Sequence, residues 1–315
     1  MDAPVAIAVV SWNTRELLDI CLASMREDAE RGVAEVWVVD NGSTDGSPDM
    51  VRERHPWVRL LVPDANLGYG PAVNEVARRT TSRWLAPSNS DVELEPGALA
   101  ELMAAAERAG PRTGVVGPRL ILADGSTQPG VQPFPGVTDA VLRNLSAYKL
   151  SRRIGERLCL AGYWDPSRAA SVDWVTGAFF LVRRDAWDGI GGFDEAQWMY
   201  AEDLDLCWRA RRAGWEVRYE PSARVHHELS VAAEKAFGDA ERRAARMLRA
   251  DYAWVARRRG VPTAWAIAVA SIGTLAARAG LLALLGRVAP ERFGTGWTSS
   301  ARTLRRHLAA VAARR

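Results

Sequence analysis

The segment VVDNGSTDGS, residues 38–47, is where the sequence first declares its architecture. Val36, Trp37, Val38 and Val39 form an uninterrupted apolar run, the pattern of a strand buried on both faces. The chain then turns abruptly polar, through Asp40, Asn41, Gly42, Ser43, Thr44, Asp45, Gly46 and Ser47. A turn needs only two or three such residues. A longer run with two carboxylates marks a surface that a ligand touches.

Working outward, residues 5–12 read as a first strand and 15–31 as a helix, with Leu17, Leu18, Cys21, Leu22 and Met25 at helical spacing. Gly32 is placed to stop that helix, and 35–39 returns as a strand, completing a βαβ unit. A short helix from Pro48, a strand at 58–63, the loop and helix NLGYGPAVNEVARRT, a strand at 84–91 and a helix at 96–109 follow. This alternation predicts an α/β fold with a mainly parallel sheet, whose ligands bind beyond the carboxyl ends of the strands. Asp40 and Asp91 both fall at such ends. Between 125 and 171 the pattern loosens, then resumes with a strand at 172–184, a helix at 202–214 and a strand at 215–221. Beyond Ser230 only helical patterning remains. Two regions are expected: an α/β domain over 1–230 and a basic helical region over 231–315.

The 315 residues are 48% hydrophobic and 25% charged, ordinary for a soluble globular chain. The three cysteines are scattered and show no CxxC spacing, which fits a reducing compartment rather than a disulfide framework or zinc cluster. The N-terminal apolar run lacks a basic n-region and carries Asp2, so it reads as a strand rather than a signal peptide. The net charge of +3 conceals an asymmetry: residues 235–315 hold 16 basic and 4 acidic residues, leaving the remainder net negative. Such a block calls for an anionic partner. The uncharged, alanine-rich run at 261–277, flanked by basic residues, reads as a helix lying on an anionic membrane surface. Packing within the protein or a homodimer contact, and a true span, are the competing readings. No nucleic acid is expected, since aromatic residues do not interleave with the charge.

The chemistry sits at the strand ends. The first strand runs into SWNTRE, with no glycine, which excludes the dinucleotide fingerprint, and no P-loop is present. Asp40 can accept from a pyrimidine N–H. Asp91, with Asn89 two positions earlier, offers hard oxygen ligands for Mg²⁺ or Mn²⁺ on a diphosphate. Each alone reads equally well as turn chemistry. Glu202 and Asp203 open a helix, where they either complement its dipole or supply a proton acceptor. At its ordinary pKa Asp203 would be ionised at neutral pH and able to take a hydroxyl proton. Glu202 could contact an acceptor, and Asp205 should face elsewhere. Trp174 and Thr176, on the strand before GAFF, are placed to face an acceptor sugar or to fill the core. Of the tandem His226–His227 only one can reach the site, because neighbours on a strand point to opposite faces.

The motifs VVSWNTRELLDICLASM, VVDNGSTDGS, NLGYGPAVNEV, NSD, VTGAFFLVRRDAW, GGFDE, YAEDLDLCWRARRAGW and VHHELS occur in this order across about residues 5–230. In that series the chain resembles family 2 inverting glycosyltransferases, most closely the bacterial rhamnosyltransferase-like branch. The resemblance implies a GT-A fold, a nucleotide-sugar donor and a divalent cation. It places Ser11, Asn13, Asp40, Asn66, Gly68, Asn74 and Asn89 around the nucleotide sugar. It puts Asp91 and His226 on the metal, with Asp203 as catalytic base and Glu202 beside it. One departure is that the usual D-x-D stands here as Asn89-Ser90-Asp91, which removes a charge and should weaken metal affinity. The implied donor is dTDP-L-rhamnose, with a UDP- or GDP-sugar as the alternative. The implied acceptor is a polyprenyl-diphosphate-linked sugar or another cell-envelope glycan, reached from the cytoplasmic face of the membrane. A sugar nucleotidyltransferase would need a glycine-rich first loop. A non-catalytic nucleotide-sugar-binding module would have no use for both Asp91 and Asp203.

Overall fold

The computed structural model describes residues 3–197, 199–228, 240–288 and 296–312. The chain forms two compact units, one of residues 1–132 and 165–236, the other of 133–164 and 237–315. Residues 133–164 therefore group with the C-terminal helices rather than with the α/β part. The boundary expected at 230/231 lies outside the described residues.

The first unit is built on a nine-stranded sheet. Four parallel strands lie in the order β3 (Arg59–Leu61), β2 (Ala34–Asp40), β1 (Val5–Ser11), β4 (Trp84–Asn89). The path continues through β10 (Leu181–Arg183), β6 (Thr113–Ile121), β11 (Glu216–His227) and β5 (Val92–Leu94), and β8 (Ala170–Ser171) pairs with β11. β10 is antiparallel to both its neighbours, while β11 runs parallel to β6. A small second sheet joins β7 (Val131–Gln132) to β9 (Trp174–Val175).

Helix α1 (Arg15–Glu30) buries Leu18, Cys21, Leu22 and Met25, and α4 (Ala98–Ala109) buries Leu99, Leu102, Ala105 and Ala106, in one core with Val5, Ile7 and Val9. Full burial of the Leu, Met, Val and Ile side chains among these contributes about 1.5–3 kcal/mol each. α2 (Ser47–Arg54) follows the polar loop, and α3 (Tyr69–Ala77) covers β1 with Ala72, Val73 and Val76 buried. The sheet register sets the site: Ser11 pairs with Asp40, and Val10 with Asn89, so the first, second and fourth strands end on one edge.

The second unit contains α5 (Val137–Asn144), a 3₁₀ turn, α6 (Arg152–Arg157) and the C-terminal helices. With α7 (Arg184–Ile190) and α8 (Glu202–Arg212) in the first unit, the C-terminal helices are α9 (Ala240–Arg259), α10 (Val261–Val288) and α11 (Gly296–Ala312). Gly260, at φ +90°, separates α9 from α10, and Pro262 falls in the first turn of α10, where no N–H partner is lost. Trp254 is fully buried and stacks on Phe134 at 6.4 Å. α10 is long and apolar enough to cross a membrane by length and composition.

Candidate active site

The polar run after β2 is mostly occupied with itself. Asp40 Oδ1 accepts from the N–H groups of Gly42 (3.1 Å) and Ser43 (2.8 Å). Asn41 Oδ1 accepts from Leu67 N–H, and its Nδ2 donates to Gly68 O. Asp45 accepts from Arg15 N–H at 2.9 Å and from Ser47. Asn13, in the left-handed region at φ 54°, clamps the neighbouring loop: its N–H donates to Ser43 Oγ and its Oδ1 accepts from Thr44 N–H, both at 2.8 Å. One atom is left over. Asp40 Oδ2 is buried with no hydrogen-bond partner, an acceptor held ready for a donor such as a pyrimidine N–H.

Ser11 is buried, and a hydroxyl chain runs from its Oγ to Thr14 Oγ1 (3.2 Å) and on to Ser90 Oγ (2.7 Å), tying β1 to the Asn89-Ser90-Asp91 loop. Asn66 Oδ1 accepts from Gly68 N–H at 2.9 Å, shaping the turn into α3. Asn74, expected to line the nucleotide pocket, faces elsewhere. Its Nδ2 donates to Phe193 O (3.0 Å) and Glu195 Oε1 (3.1 Å), while its Oδ1 accepts from Phe193 N–H (3.0 Å). It fastens the GGFDE loop to α3. A cavity of about 490 Å³ beside this clamp is lined by Asn74, Arg78, Trp187 and Glu195 among others, and does not touch Asp40, Asp91 or Asp203.

The tandem histidines separate as strand geometry requires, but the other one faces the site. His226 Nε2 lies 3.0 Å from Glu95 Oε1 on the half-exposed side of β11. His227 is buried, with Nε2 3.3 Å from Asp91 Oδ1 and 3.4 Å from Asn89 Nδ2. Pleating sends alternate side chains to opposite faces, and the register that pairs His227 with Val92 brings it beside Asp91. Buried Gln128 Oε1 accepts from His227 Nδ1–H at 2.8 Å, which fixes the ring with Nε2 towards Asp91.

Asp203 is gripped from two sides. Its Oδ2 accepts from Gly177 N–H and its Oδ1 from Leu204 N–H, each at 2.7 Å. Gly177 leaves little room: a Cβ there would come to 3.2 Å of Asp203 Oδ2 and press on the carboxyl. Tyr69 O–H, on α3, donates to Gly177 O at 2.8 Å and fixes the same peptide from the other side. The chain enters the site through two consecutive left-handed residues, Tyr200 (φ 65°) and Ala201 (φ 63°), a backbone costing about 1–3 kcal/mol per residue. Desolvation pushes the Asp203 carboxyl up to about 6, against the pull of its two backbone N–H donors. Desolvation and then the adjacent Asp203 push Glu202 up to about 8, and Glu202 Oε2 is buried without a partner. The ordinary pKa expected for Asp203 is thus corrected upward, leaving it ionised at neutral pH and more basic than a surface aspartate. Asp205 points away, fully buried on Arg209 at 2.6 Å. Trp174, in β9, and Thr176, just after it, are both half-buried and precede Gly177, whose N–H binds Asp203.

Models of two sequence families match the chain: Glycosyl transferase family 2 over residues 6–154, and Glycosyl transferase family group 2 over 139–300. The N-acetylglucosaminyl-diphospho-decaprenol L-rhamnosyltransferase of Mycobacterium tuberculosis (strain ATCC 25618 / H37Rv) is 39% identical over 243 residues, covering 70% of this chain and 75% of that protein. The chain is a family 2 glycosyltransferase. The Rhamnosyltransferase WbbL of Escherichia coli (strain K12) is 40% identical to it over 70 residues, 21% of this chain and 26% of that one. The mannosyltransferase PcManGT of Pyrobaculum calidifontis, solved with GDP-Man and Mn²⁺, superposes on the glycosyltransferase with a TM-score of 0.62 at 20% identity, over 99% of this chain and 87% of that one. That likeness shows the shared GT-A fold.

A divalent cation fits this glycosyltransferase at Asp91. Among the described residues no cluster of three or more His, Cys, Asp or Glu is placed to hold a metal, and the described residues at this place offer two ligands. Those two atoms, Asp91 Oδ1 and His227 Nε2, lie 3.3 Å apart, a separation that two ligands of one cation can adopt with Nε2 deprotonated on binding. A carboxylate with an imidazole accommodates Mn²⁺, and Asn89 at 3.4 Å lies within reach of the same place.

Proposed function

We propose that this glycosyltransferase transfers L-rhamnose from dTDP-L-rhamnose to a polyprenyl-diphosphate-linked sugar, with inversion at the anomeric carbon. The 39% identity to a mycobacterial enzyme named for that reaction carries the reading. The strand-end geometry is consistent with it. Asp40 Oδ2 accepts the base N–H of the nucleotide, and Asn13, Asn66 and Gly68 shape the loops around it. Asp91 and His227 would hold Mg²⁺ or Mn²⁺, whose charge offsets that developing on the departing diphosphate.

The acceptor hydroxyl approaches Asp203 from the side of Thr176 and Trp174. Asp203 takes its proton as the oxygen bonds to the anomeric carbon, and the bond from that carbon to the diphosphate oxygen breaks in line, its electron pair leaving with the nucleoside diphosphate. Held by two N–H donors, the carboxylate cannot swing away, and its raised pKa makes it a better acceptor while it stays ionised at pH 7. Glu202, raised further, is neutral at that pH and offers an O–H to a sugar hydroxyl. A nucleotide-sugar donor and a lipid-linked acceptor meet at the cytoplasmic face of the membrane, where this reading has the enzyme work.

The test is direct. The protein with Mn²⁺ is offered dTDP-rhamnose, UDP-sugars and GDP-sugars with a short-chain polyprenyl-diphosphate-linked N-acetylglucosamine. Mass spectrometry should show one added deoxyhexose with dTDP-rhamnose alone. Addition of a hexose from a UDP- or GDP-sugar would replace the donor, and no product with any donor would overturn the acceptor.

A further inference from the structure

Helix α10 has two unlike faces. Ala264, Ile267, Ala268, Ser271 and Leu275 are buried, and the helix packs against α5, α9 and α11. On the opposite side Val261, Trp265, Val269, Leu281, Leu284 and Val288 are exposed, Leu284 by 60%. The outward positions between them, at 273, 276, 277 and 280, are all Gly or Ala. At 1.5 Å per residue this stripe runs for roughly 40 Å. Arg278, the basic residue in mid-helix, is half-buried and turned inward, its Nη1 donating to Asn144 O at the C-terminus of α5 (3.1 Å). The outward stripe therefore carries no charge before Arg287. An apolar band of this length is uncommon on a soluble surface with nothing to cover it.

We propose that this stripe is the surface by which the enzyme lies on an anionic lipid bilayer, with the axis of α10 in the membrane plane and the stripe in the acyl boundary. The proposal deepens the reading that the acceptor is lipid-linked. Charge selects the occupant. The helical unit holds 20 basic and 6 acidic residues, a net of +14, so anionic headgroups are attracted while a second copy of the whole unit, equally basic, is repelled. Packing selects the depth. α11, with Arg302, Arg305 and Arg306, lies along α10, and a spanning α10 would draw those charges into hydrocarbon. An interfacial helix with one buried and one lipid-facing side meets both conditions.

The experiment uses the full chain and the double variant L281E/L284E, at exposed positions outside the donor site. Sedimentation with phosphatidylcholine vesicles containing 30% phosphatidylglycerol reads binding, with velocity sedimentation for oligomeric state and dTDP calorimetry for the pocket. The wild type should sediment with these vesicles, more weakly in 1 M NaCl and with pure phosphatidylcholine. The variant should bind at least tenfold more weakly, with dTDP affinity and melting temperature unchanged. W265S, a milder change on the same stripe, should lose several-fold. Vesicle binding unchanged in both variants overturns the proposal. So does a wild-type dimer that the variant dissociates, or vesicle binding that survives alkaline carbonate, which marks a spanning helix. Failure of the donor assignment would appear separately, as absence of dTDP binding by the wild type.

Discussion

The two units of this glycosyltransferase solve different problems with opposite materials. The α/β unit holds 21 basic and 32 acidic residues, a net of −11, against +14 for the helical unit. In the first, polar side chains at the sheet edge are committed to one another until only a few atoms remain for a ligand, chiefly Asp40 Oδ2, the Asp91–His227 pair and the carboxyls of Glu202 and Asp203. In the second, helix-forming Ala, Leu and Arg make long elements whose exposed residues include Trp265, Leu281 and Leu284. Chemistry asks for fixed geometry, and adhesion to a fluid surface asks only for a face of the right polarity.

That contrast predicts that substitutions in the first unit act steeply and locally. Asp203→Asn should lower kcat by about 10²–10⁴-fold with little change in donor affinity or vesicle binding, since the amide keeps the shape and loses the proton acceptor. Single-turnover kinetics and dTDP calorimetry check it. A loss confined to a few-fold would shift the base to Glu202.

Gln128→Leu should weaken Mn²⁺-dependent dTDP binding by about 10–100-fold, the usual scale for a residue that orients a metal ligand, and leave metal-free binding unchanged. His226→Ala, on the other face of β11, should alter neither. Calorimetry with and without EDTA separates the two histidines.

The sequence reading reached the edge of the sheet more surely than its centre. β1, β2 and β4 were legible because each is a continuous apolar run ending in a polar cluster. β6, one of the longest strands, was not, because TGVVGPRLI carries two glycines and a proline that ordinarily count against a strand. The structure explains both glycines: a Cβ on Gly114 would come to 2.7 Å of Trp215 and one on Gly117 to 2.7 Å of Val175, so the packing there demands glycine. Among site residues, Asp40, Asp91 and Asp203 were visible as carboxylates at element ends. His227 was not separable from His226, since a one-residue choice depends on strand register that no local signal sets. The bonds of Asn74 to Phe193 and Glu195 were not legible, because motif position says nothing about which way an amide points. Tyr69 and Gln128 gave no signal at all, because each acts through a partner more than 90 residues away in the chain.

A third prediction concerns pH. The acid limb of kcat/KM should rise through about 6 as Asp203 ionises, and the alkaline limb should fall through about 8 as Glu202 loses its proton. Glu202→Gln should remove the alkaline limb alone.

The smallest effect is on stability. Both carboxyls have folded pKa values raised above their ordinary values by burial, so the fold favours their protonated forms. Their contribution is fully present below about pH 4 and is lost as pH rises through about 6 and then about 8. Glu202→Gln should therefore raise Tm by a few degrees at pH 9 and leave it almost unchanged at pH 4, measured by thermal denaturation. Equal Tm differences at both values would show that the Glu202 carboxyl is not desolvated in the fold.

The interleaving of the two units in the chain has a consequence for synthesis. Residues 133–164 leave the ribosome before the last strands of the sheet and long before α9, α10 and α11. At about 5–20 residues per second, α5 waits roughly 7–29 s for the helix it packs against. During that interval the carbonyl of Asn144 lacks the Arg278 guanidinium that satisfies it in the finished protein. Chains interrupted before residue 240 would keep the sheet-edge residues and yet carry an orphaned α5, which makes them clients for chaperones rather than miniature enzymes.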